Sequence, residues 1–329
     1  MIAVVKAEGY GHGALPVAHA ALEAGAWGLA VSTPDEAALL RPLTADDRIL
    51  VMGGLAPADA ADAVACGCAV MCHTMEMADA LEAALPEGRR LPVHLKVDTG
   101  MSRLGCSPQE APQLAQRIAG SARLRLAGTF THFASAEADD ELTRRQFELF
   151  GQVLDALGVD PGLRHAANSA ATLRYPEMAL DAVRSGIAVY GCEDGRLRPA
   201  LALRALVTQV KEIPAGAGVG YGQSWRAERP TRLATIAIGY EDGVLRSREN
   251  RGDVIVRAWR APLVGRVSMD AITVDVTGIE GVRAGDVATL IGSQGEESIS
   301  AEEVAEWSGT ISYEVLTSIG DRVERRYSE

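Results

Sequence analysis

The chain has 329 residues, 47% hydrophobic and 23% charged, a balance that suits a globular protein with enough chain for about two domains. A net charge of -12 disfavours nucleic acid and anionic membranes, and no Lys/Arg stripe offsets it. No apolar run reaches the ~18 residues of a membrane span, and the N-terminus enters a strand-like run without a basic, cleavable leader, so the expected compartment is the cytoplasm. Five cysteines in a chain this long do not make a disulfide framework. Cys66, Cys68 and Cys72 beside His73 have the wrong spacing for zinc, so they read as buried thiols and no metal is expected.

The first 200 or so residues alternate β-branched runs with alanine- and leucine-rich amphipathic stretches. Strands are expected at Ile2–Lys6, Trp27–Ser32, Arg48–Met52, Ala69–Cys72, Pro92–Val97, Leu126–His132, Leu163–Ala167 and Ala182–Val189. Helices are expected between them at Leu15–Ala24, Pro34–Leu40, Pro57–Ala65, Met75–Leu85, Pro108–Ala119 and Asp140–Leu157. Three of these open on proline, which suits a first helical position. The alternation implies parallel pairing, and eight strands match a closed (β/α)8 TIM-type barrel; an open doubly wound sheet is the alternative. Near Leu197 the pattern changes to strands at Leu206–Ile213, Thr231–Ile238, Asp253–Val256, Ala261–Val267, Ala271–Asp275 and Val287–Ile291, with one helix at Ala301–Trp307. The expected division is therefore an α/β barrel over residues 1–197 and a mostly β domain over 198–329.

A barrel gathers its functional groups where the strands end. Lys6 ends the first expected strand, Lys96 the fifth with Arg103 following, and His132 the sixth. His165, Asn168 and Ser169 follow the seventh strand, and the eighth carries Arg184-Ser185-Gly186-Ile187. Taken alone, Lys6 reads as a strand-end lysine that snorkels to solvent. The glycine-rich Ala7-Glu8-Gly9-Tyr10-Gly11-His12-Gly13 changes that reading, because glycine admits close backbone approach and a tyrosine hydroxyl bonds phosphate. An amine at an apolar barrel mouth also loses some of its preference for charge. The backbone at Arg184–Ile187 offers a second anion site, and Ser169 either adds a hydroxyl or caps a helix.

Val4-Val5-Lys6-Ala7-Glu8-Gly9-Tyr10-Gly11-His12-Gly13 resembles the pyridoxal phosphate signature of the alanine racemase family. The likeness continues in order through Lys96–Gly105, Thr131–Ala134, His165–Ser169 and Val183–Ile187. It then takes in Val219-Gly220-Tyr221-Gly222, Ile238–Gly243, Gly265–Asp270 and Thr310–Glu314, and so spans nearly the whole chain. The resemblance implies a fold type III pyridoxal 5'-phosphate enzyme that interconverts L- and D-alanine for peptidoglycan, acting as a homodimer with composite sites. It implies that Lys6 holds the cofactor as a Schiff base and is one of two catalytic bases, with Tyr221 from the neighbouring subunit as the other. Two bases are what racemisation needs, one on each face of the α-carbon, and a phenol serves only where its site favours the phenolate.

The implied cofactor-binding set is Lys6, Tyr10, His132, Ser169, Arg184, Gly186, Ile187 and Tyr313. Arg184 would face the pyridine nitrogen, where an arginine cannot take up the ring proton; the carbanion is then less delocalised, and transamination is disfavoured. Arg103 and the backbone N–H of Met269 from the partner chain would seat the substrate carboxylate, with Lys96, His165 and Tyr240 in support. Lys96 resembles a lysine that the family carries as a carbamate, an anion able to pin Arg103. Arg246, Arg266, Glu137 and Ile311 match positions that line the substrate channel.

This chain departs from the family pattern at Glu137, Glu241, Ser268 and Ser312, where aspartate, alanine, cysteine and asparagine are frequent. The family also carries roughly thirty further residues before the lysine motif, a strand and a helix whose burial contributes several kcal/mol; a longer upstream reading frame is expected. Rival readings are a racemase of serine, lysine or broader specificity, and a non-catalytic pyridoxal phosphate carrier, which would lack the second domain. A barrel decarboxylase would need an acid in place of Arg184.

Overall fold

The computed structural model describes residues 1–328 and divides the chain into two compact units. The first comprises Met1–Gly9 and Gly13–Val189; the second comprises Tyr10–His12 and the chain from Tyr190 onward. Among the described residues no helix is long and apolar enough to cross a membrane.

The first unit is built on β1 (Ile2–Val4), β2 (Gly28–Val31), β3 (Ile49–Val51), β4 (Ala69–Cys72), β5 (Leu91–Lys96), β6 (Leu124–Phe130), β7 (Leu163–His165) and β8 (Arg184–Ser185). All are parallel, in the order β7-β6-β5-β4-β3-β2-β1-β8, and one parallel bridge between His165 and Ala182 brings the ends together. This is the expected barrel rather than an open sheet. The eighth strand is shorter than expected. The chain leaves the ladder after Ser185 and turns into a 3-10 segment at Ile187–Tyr190, closed by the Val189 N–H on Gly186 O at 2.8 Å. The helix expected from Pro108 starts instead at Ala111, because Ser107 and Glu110 first close a turn on each other.

Alternation along each strand sorts the side chains. Ala3, Val5, Leu29, Val31, Ile49, Val51, Val70, Val93 and Leu95 belong to the apolar layer beneath the helices. The residues between them point into the barrel, and there the sequence turns polar: His94 and Lys96 from β5, and His165 from β7, are all buried. A β-bulge between Val93 and His94 shifts the register so that Gly128 lies opposite His94 and Phe130 opposite Lys96. Phe130 in turn pairs with His165 across β6 and β7. Gly128 is required at this place: an added Cβ would lie 2.5 Å from His94 Nδ1 and 2.8 Å from Leu163 O.

After β1 the backbone makes one left-handed turn. Ala7, Glu8, Gly9 and Tyr10 all have φ between 51° and 58°. For the three non-glycine residues this conformation costs roughly 1–2 kcal/mol each, so the turn must be held from outside. Glu36, at the start of the helix Pro34–Leu40, does much of that. Its Oε1 accepts from Ala7 N–H at 2.7 Å, and its Oε2 accepts from Ser32 N–H at 2.7 Å and Thr33 N–H at 3.2 Å. Glu8 closes the far side, with Oε2 accepting from Ala14 N–H and its carbonyl from Gly13 N–H.

The second unit is a mostly antiparallel β assembly. Its strands are β9 (Leu203–Ile213), β10 (Gly218–Val219), β11 (Trp225–Arg226), β12 (Thr231–Ile236), β13 (Asp253–Val256), β14 (Trp259–Pro262), β15 (Ile272–Asp275), β16 (Val287–Gln294) and β17 (Glu297–Ile299). Seven form one sheet in the order β14-β13-β16-β9-β12-β15, with β17 on β16, while β10 and β11 make a separate ribbon. The helix expected at Ala301–Trp307 spans Ala301–Ser308. A second helix, Ser312–Thr317, is too short to show a helical period in the sequence.

Two outcomes follow from these contacts. Gly128→Ala should lower stability by about 1–3 kcal/mol in urea unfolding, since neither His94 nor the Leu163 carbonyl has room to retreat. Glu36→Gln should cost a similar ~1–3 kcal/mol, because its amide cannot accept all three N–H groups; an unchanged midpoint would show that the left-handed turn is held by other contacts.

Candidate active site

Four basic side chains meet at the ends of the barrel strands. Lys6 follows β1, Lys96 ends β5, Arg103 follows on the next loop, and Arg184 opens β8. Burial and the Arg103 charge lower the pKa of Lys6, against a smaller pull from Glu36. Lys96 is pushed down to about 8 by burial, then by Arg103, Arg184 and Lys6, while Asp98 pulls the other way. Cations that depress one another in this way create demand for an anion.

The loop carrying Arg103 is wound on Asp98, whose Oδ1 accepts from the N–H groups of Gly100, Met101 and Ser102 at 2.9, 2.9 and 3.1 Å. Behind it, Thr99 and Thr131 share a 2.7 Å hydroxyl contact, and Gln146 ties Ala134 N–H to the His132 carbonyl. The Arg103 side chain itself reaches solvent.

Arg184 is 3% exposed, and its hydrogen bonds go to carbonyls and imidazoles. Nη1 donates to His165 Nδ1 at 2.8 Å and to His165 O at 2.9 Å. Nη2 donates to Thr131 O at 2.7 Å and Ala166 O at 3.0 Å, and lies 3.3 Å from His132 Nδ1. Burial pushes its pKa down to about 9, which still leaves it cationic at neutral pH. The Phe130 ring lies under both Arg184 and Lys96, at 5.0 and 5.6 Å. Burial and these neighbouring cations hold His132 and His165 well below the usual imidazole range, so both are neutral.

Ser169 is not the helix cap that the sequence left open; Asn168 fills that role by accepting from Ala171 N–H at 3.0 Å. The Ser169 hydroxyl oxygen instead accepts from Gly186 N–H at 2.9 Å and Ala188 N–H at 3.3 Å. A hydroxyl that accepts two N–H groups is left with its own O–H to donate, as an anion requires. Ile187 is buried between the two donors.

Within the second unit, Tyr10 stacks on Tyr190 with ring centroids 4.8 Å apart and lies 5.9 Å from the Tyr313 ring. Burial pushes the Tyr10 phenol up to about 12, so it stays a donor. The short segment around it is clasped by the C-terminal tail. Arg325 donates to Gly11 O from Nε and Nη2, both at 3.2 Å, and Tyr327 O–H donates to His12 O at 2.9 Å. Only glycine fits at position 11, where a Cβ would meet Leu316 O at 2.2 Å. Tyr221 is 71% exposed and Met269 50% exposed, on loops that adjoin one another: Gly222 lies beside the Arg266 guanidinium, and Glu241 N–H donates to Met269 O. Tyr240 shares this exposed neighbourhood, its N–H on Ser268 O at 3.0 Å. Of the residues expected to line the substrate channel, Arg266 is tied to Glu249 at 3.1 Å, and Ile311 is exposed.

Sequence reasoning missed Glu36, Tyr190, Arg325 and His94. His94 carried a legible signal, a polar residue in the inward phase of an apolar strand two places before Lys96. The five thiols are buried, and among the described residues no group of three His, Cys, Asp or Glu side chains is placed to hold a metal. Burial pushes Cys72, Cys106 and Cys192 up to about 12, which keeps them from acting as thiolates.

The family model "Alanine racemase, N-terminal domain" matches residues 1–194, and "Alanine racemase, C-terminal domain" matches residues 200–327. The alanine racemase of Desulfovibrio desulfuricans is 42% identical over 99% of this chain and 90% of its own length. That of Symbiobacterium thermophilum is 43% identical over the same shares. Among solved structures, the alanine racemase of Bacillus anthracis with bound L-Ala-P has a TM-score of 0.90 at 40% identity, covering 98% of this chain and 86% of that one. The Streptomyces coelicolor alanine racemase gives 0.91 at 36% identity, covering 98% and 90%. The chain is a member of the alanine racemase family.

Proposed function

We propose that this chain interconverts L- and D-alanine with pyridoxal 5'-phosphate as cofactor, in a cytoplasmic homodimer whose product supplies peptidoglycan. The observation that carries the reading is the cationic cluster of Lys6, Lys96, Arg103 and Arg184 at the barrel mouth, in a chain of this family. Its surroundings in the first unit suit an anionic aldehyde cofactor, with an amine of lowered basicity and the Ser169 hydroxyl backed by two N–H groups; the family resemblance adds the phenols of Tyr10 and Tyr313. When bound, the cofactor withdraws electrons from the substrate's α-carbon and so makes its proton removable.

Lys6 Nζ, held at the end of β1 by the Glu36-braced turn, takes or returns the α-proton on one face. Tyr221 of the partner subunit does so on the other, with residues 198–329 contributing to the partner's site. The exposure of Tyr221, Met269 and Tyr240 on adjoining loops of the second unit supports that assembly, since apolar groups grouped in this way favour a partner surface. Arg184 stays a cation with its donors facing acceptors, so it offers the cofactor ring no base and no proton sink. Arg103 and the backbone N–H of the partner subunit's Met269 orient the substrate carboxylate, His132 packs against the cofactor ring, and Gly186 and Ile187 lie at its phosphate.

Lys6→Ala should abolish both the cofactor's visible absorbance on the protein and racemisation of alanine. Tyr221→Phe should keep the absorbance and lose α-proton exchange for one alanine enantiomer far more than for the other. Mixing the two variants should restore about a quarter of wild-type activity, because half the dimers hold one intact composite site. No recovery would rule out the shared site, and turnover of serine or lysine in preference to alanine would reassign the substrate.

Lys96 is proposed to be carbamylated, its neutral amine adding carbon dioxide and releasing a proton to give an anion that faces Arg103. With its pKa near 8, the neutral amine is plentiful above that pH and scarce below it. Native mass spectrometry in bicarbonate should show one added carbon dioxide that is lost as pH falls and is absent in Lys96→Arg. An unmodified chain at pH 8.5 in saturating bicarbonate would remove the modification.

A further inference from the structure

His94 has no part in the mechanism above, yet it is 2% exposed inside the barrel and hydrogen-bonded to His165, which contacts Arg184. A guanidinium has only donors. Because Arg184 Nη1 donates to His165 Nδ1 at 2.8 Å, that nitrogen must be unprotonated, and neutral His165 carries its proton on Nε2. Nε2 lies 2.9 Å from His94 Nδ1. His165 therefore donates to His94, whose Nδ1 is bare and whose own proton sits on its Nε2. Any other arrangement sets two N–H groups face to face or buries an imidazolium beside a buried guanidinium. The low proton affinity of both rings, about 3 for His94, agrees with this.

The surroundings leave these rings little freedom. His165 stacks on Phe130 at 4.8 Å with 6° between the planes, and Arg184 lies over the same ring at 5.0 Å. His94 occupies space that exists only because residue 128 lacks a Cβ. We infer that His94 is a positioning residue: by accepting the His165 Nε2–H it fixes His165 as the acceptor for Arg184, and so fixes the guanidinium that the reaction requires at the cofactor ring. The second half of this statement rests on the proposed function; the direction of the hydrogen-bond chain does not.

The test uses holoenzyme labelled with 15N-histidine and three chains: wild type, His94→Leu, and His94→Asn, whose Oδ1 can take the place of Nδ1. Two-bond proton–nitrogen correlations should show His165 and His94 of the wild type as single Nε2–H tautomers. In His94→Leu the His165 pattern should lose that uniqueness and kcat should fall by about tenfold or more, the equivalent of one buried hydrogen bond, with a smaller change in KM. His94→Asn should recover the His165 pattern and bring kcat back to within about threefold of wild type. An Nδ1–H signal on His165 in the wild type would overturn the inference. So would His94→Asn behaving like His94→Leu at an unchanged unfolding midpoint, or a normal kcat in His94→Leu. A wild type without racemase activity would instead sink the proposed function, and the tautomer readout would still decide the hydrogen-bond chain.

Discussion

The organisation of the barrel interior follows from one buried charge. Arg184 sits inside the barrel, where an unsatisfied charge would cost far more than a domain's margin of stability. The answer here is a ring of acceptors: the carbonyls of Thr131, His165 and Ala166, and the Nδ1 atoms of His165 and His132. Satisfying one guanidinium thus dictates how β6 and β7 end and how two imidazoles are oriented. It also dictates their charge, because an imidazolium there would meet the cation it is meant to accommodate.

The same requirement propagates outward. His165 needs an acceptor for its second nitrogen, His94 supplies it, and Gly128 makes room for His94 through the bulge in the β5–β6 ladder. Phe130, placed by that shifted register, gives the cations Arg184 and Lys96 an aromatic face in place of solvent. A chain of constraints therefore runs across four strands, and each link is a residue whose type has a physical reason.

Lys6 is governed by a different constraint. The turn after β1 is left-handed, an arrangement that L-residues adopt only under compulsion. Glu36 and Glu8 supply that compulsion through backbone N–H groups rather than through partner charges. Beyond the turn, Tyr10–His12 groups with the second unit, where Arg325 and Tyr327 grip its carbonyls. The strain thus lies beside the amine that the proposed chemistry uses.

Much of this was legible in the residues. Alternating strand and helix periods were enough for the barrel, because a two-residue and a 3.6-residue repeat are local properties. Strand ends were legible too, so Lys6, Lys96, His132, His165 and Arg184 could be named before any coordinates. The length of β8, the cap on Asn168 and the left-handed turn were not. The left-handed turn and the role of Ser169 depend on partners 29 and 17 residues away, Glu36 for Ala7 and Gly186 for Ser169. The Asn168 cap and the end of β8 are local choices among neighbouring donors and acceptors that periodicity does not rank. Composition and order by themselves determined the fold class and the roster of reactive groups. The direction of hydrogen bonding from Arg184 through His165 to His94 was decided only by the tertiary structure, because a tautomer is set by the neighbour that closing the barrel provides.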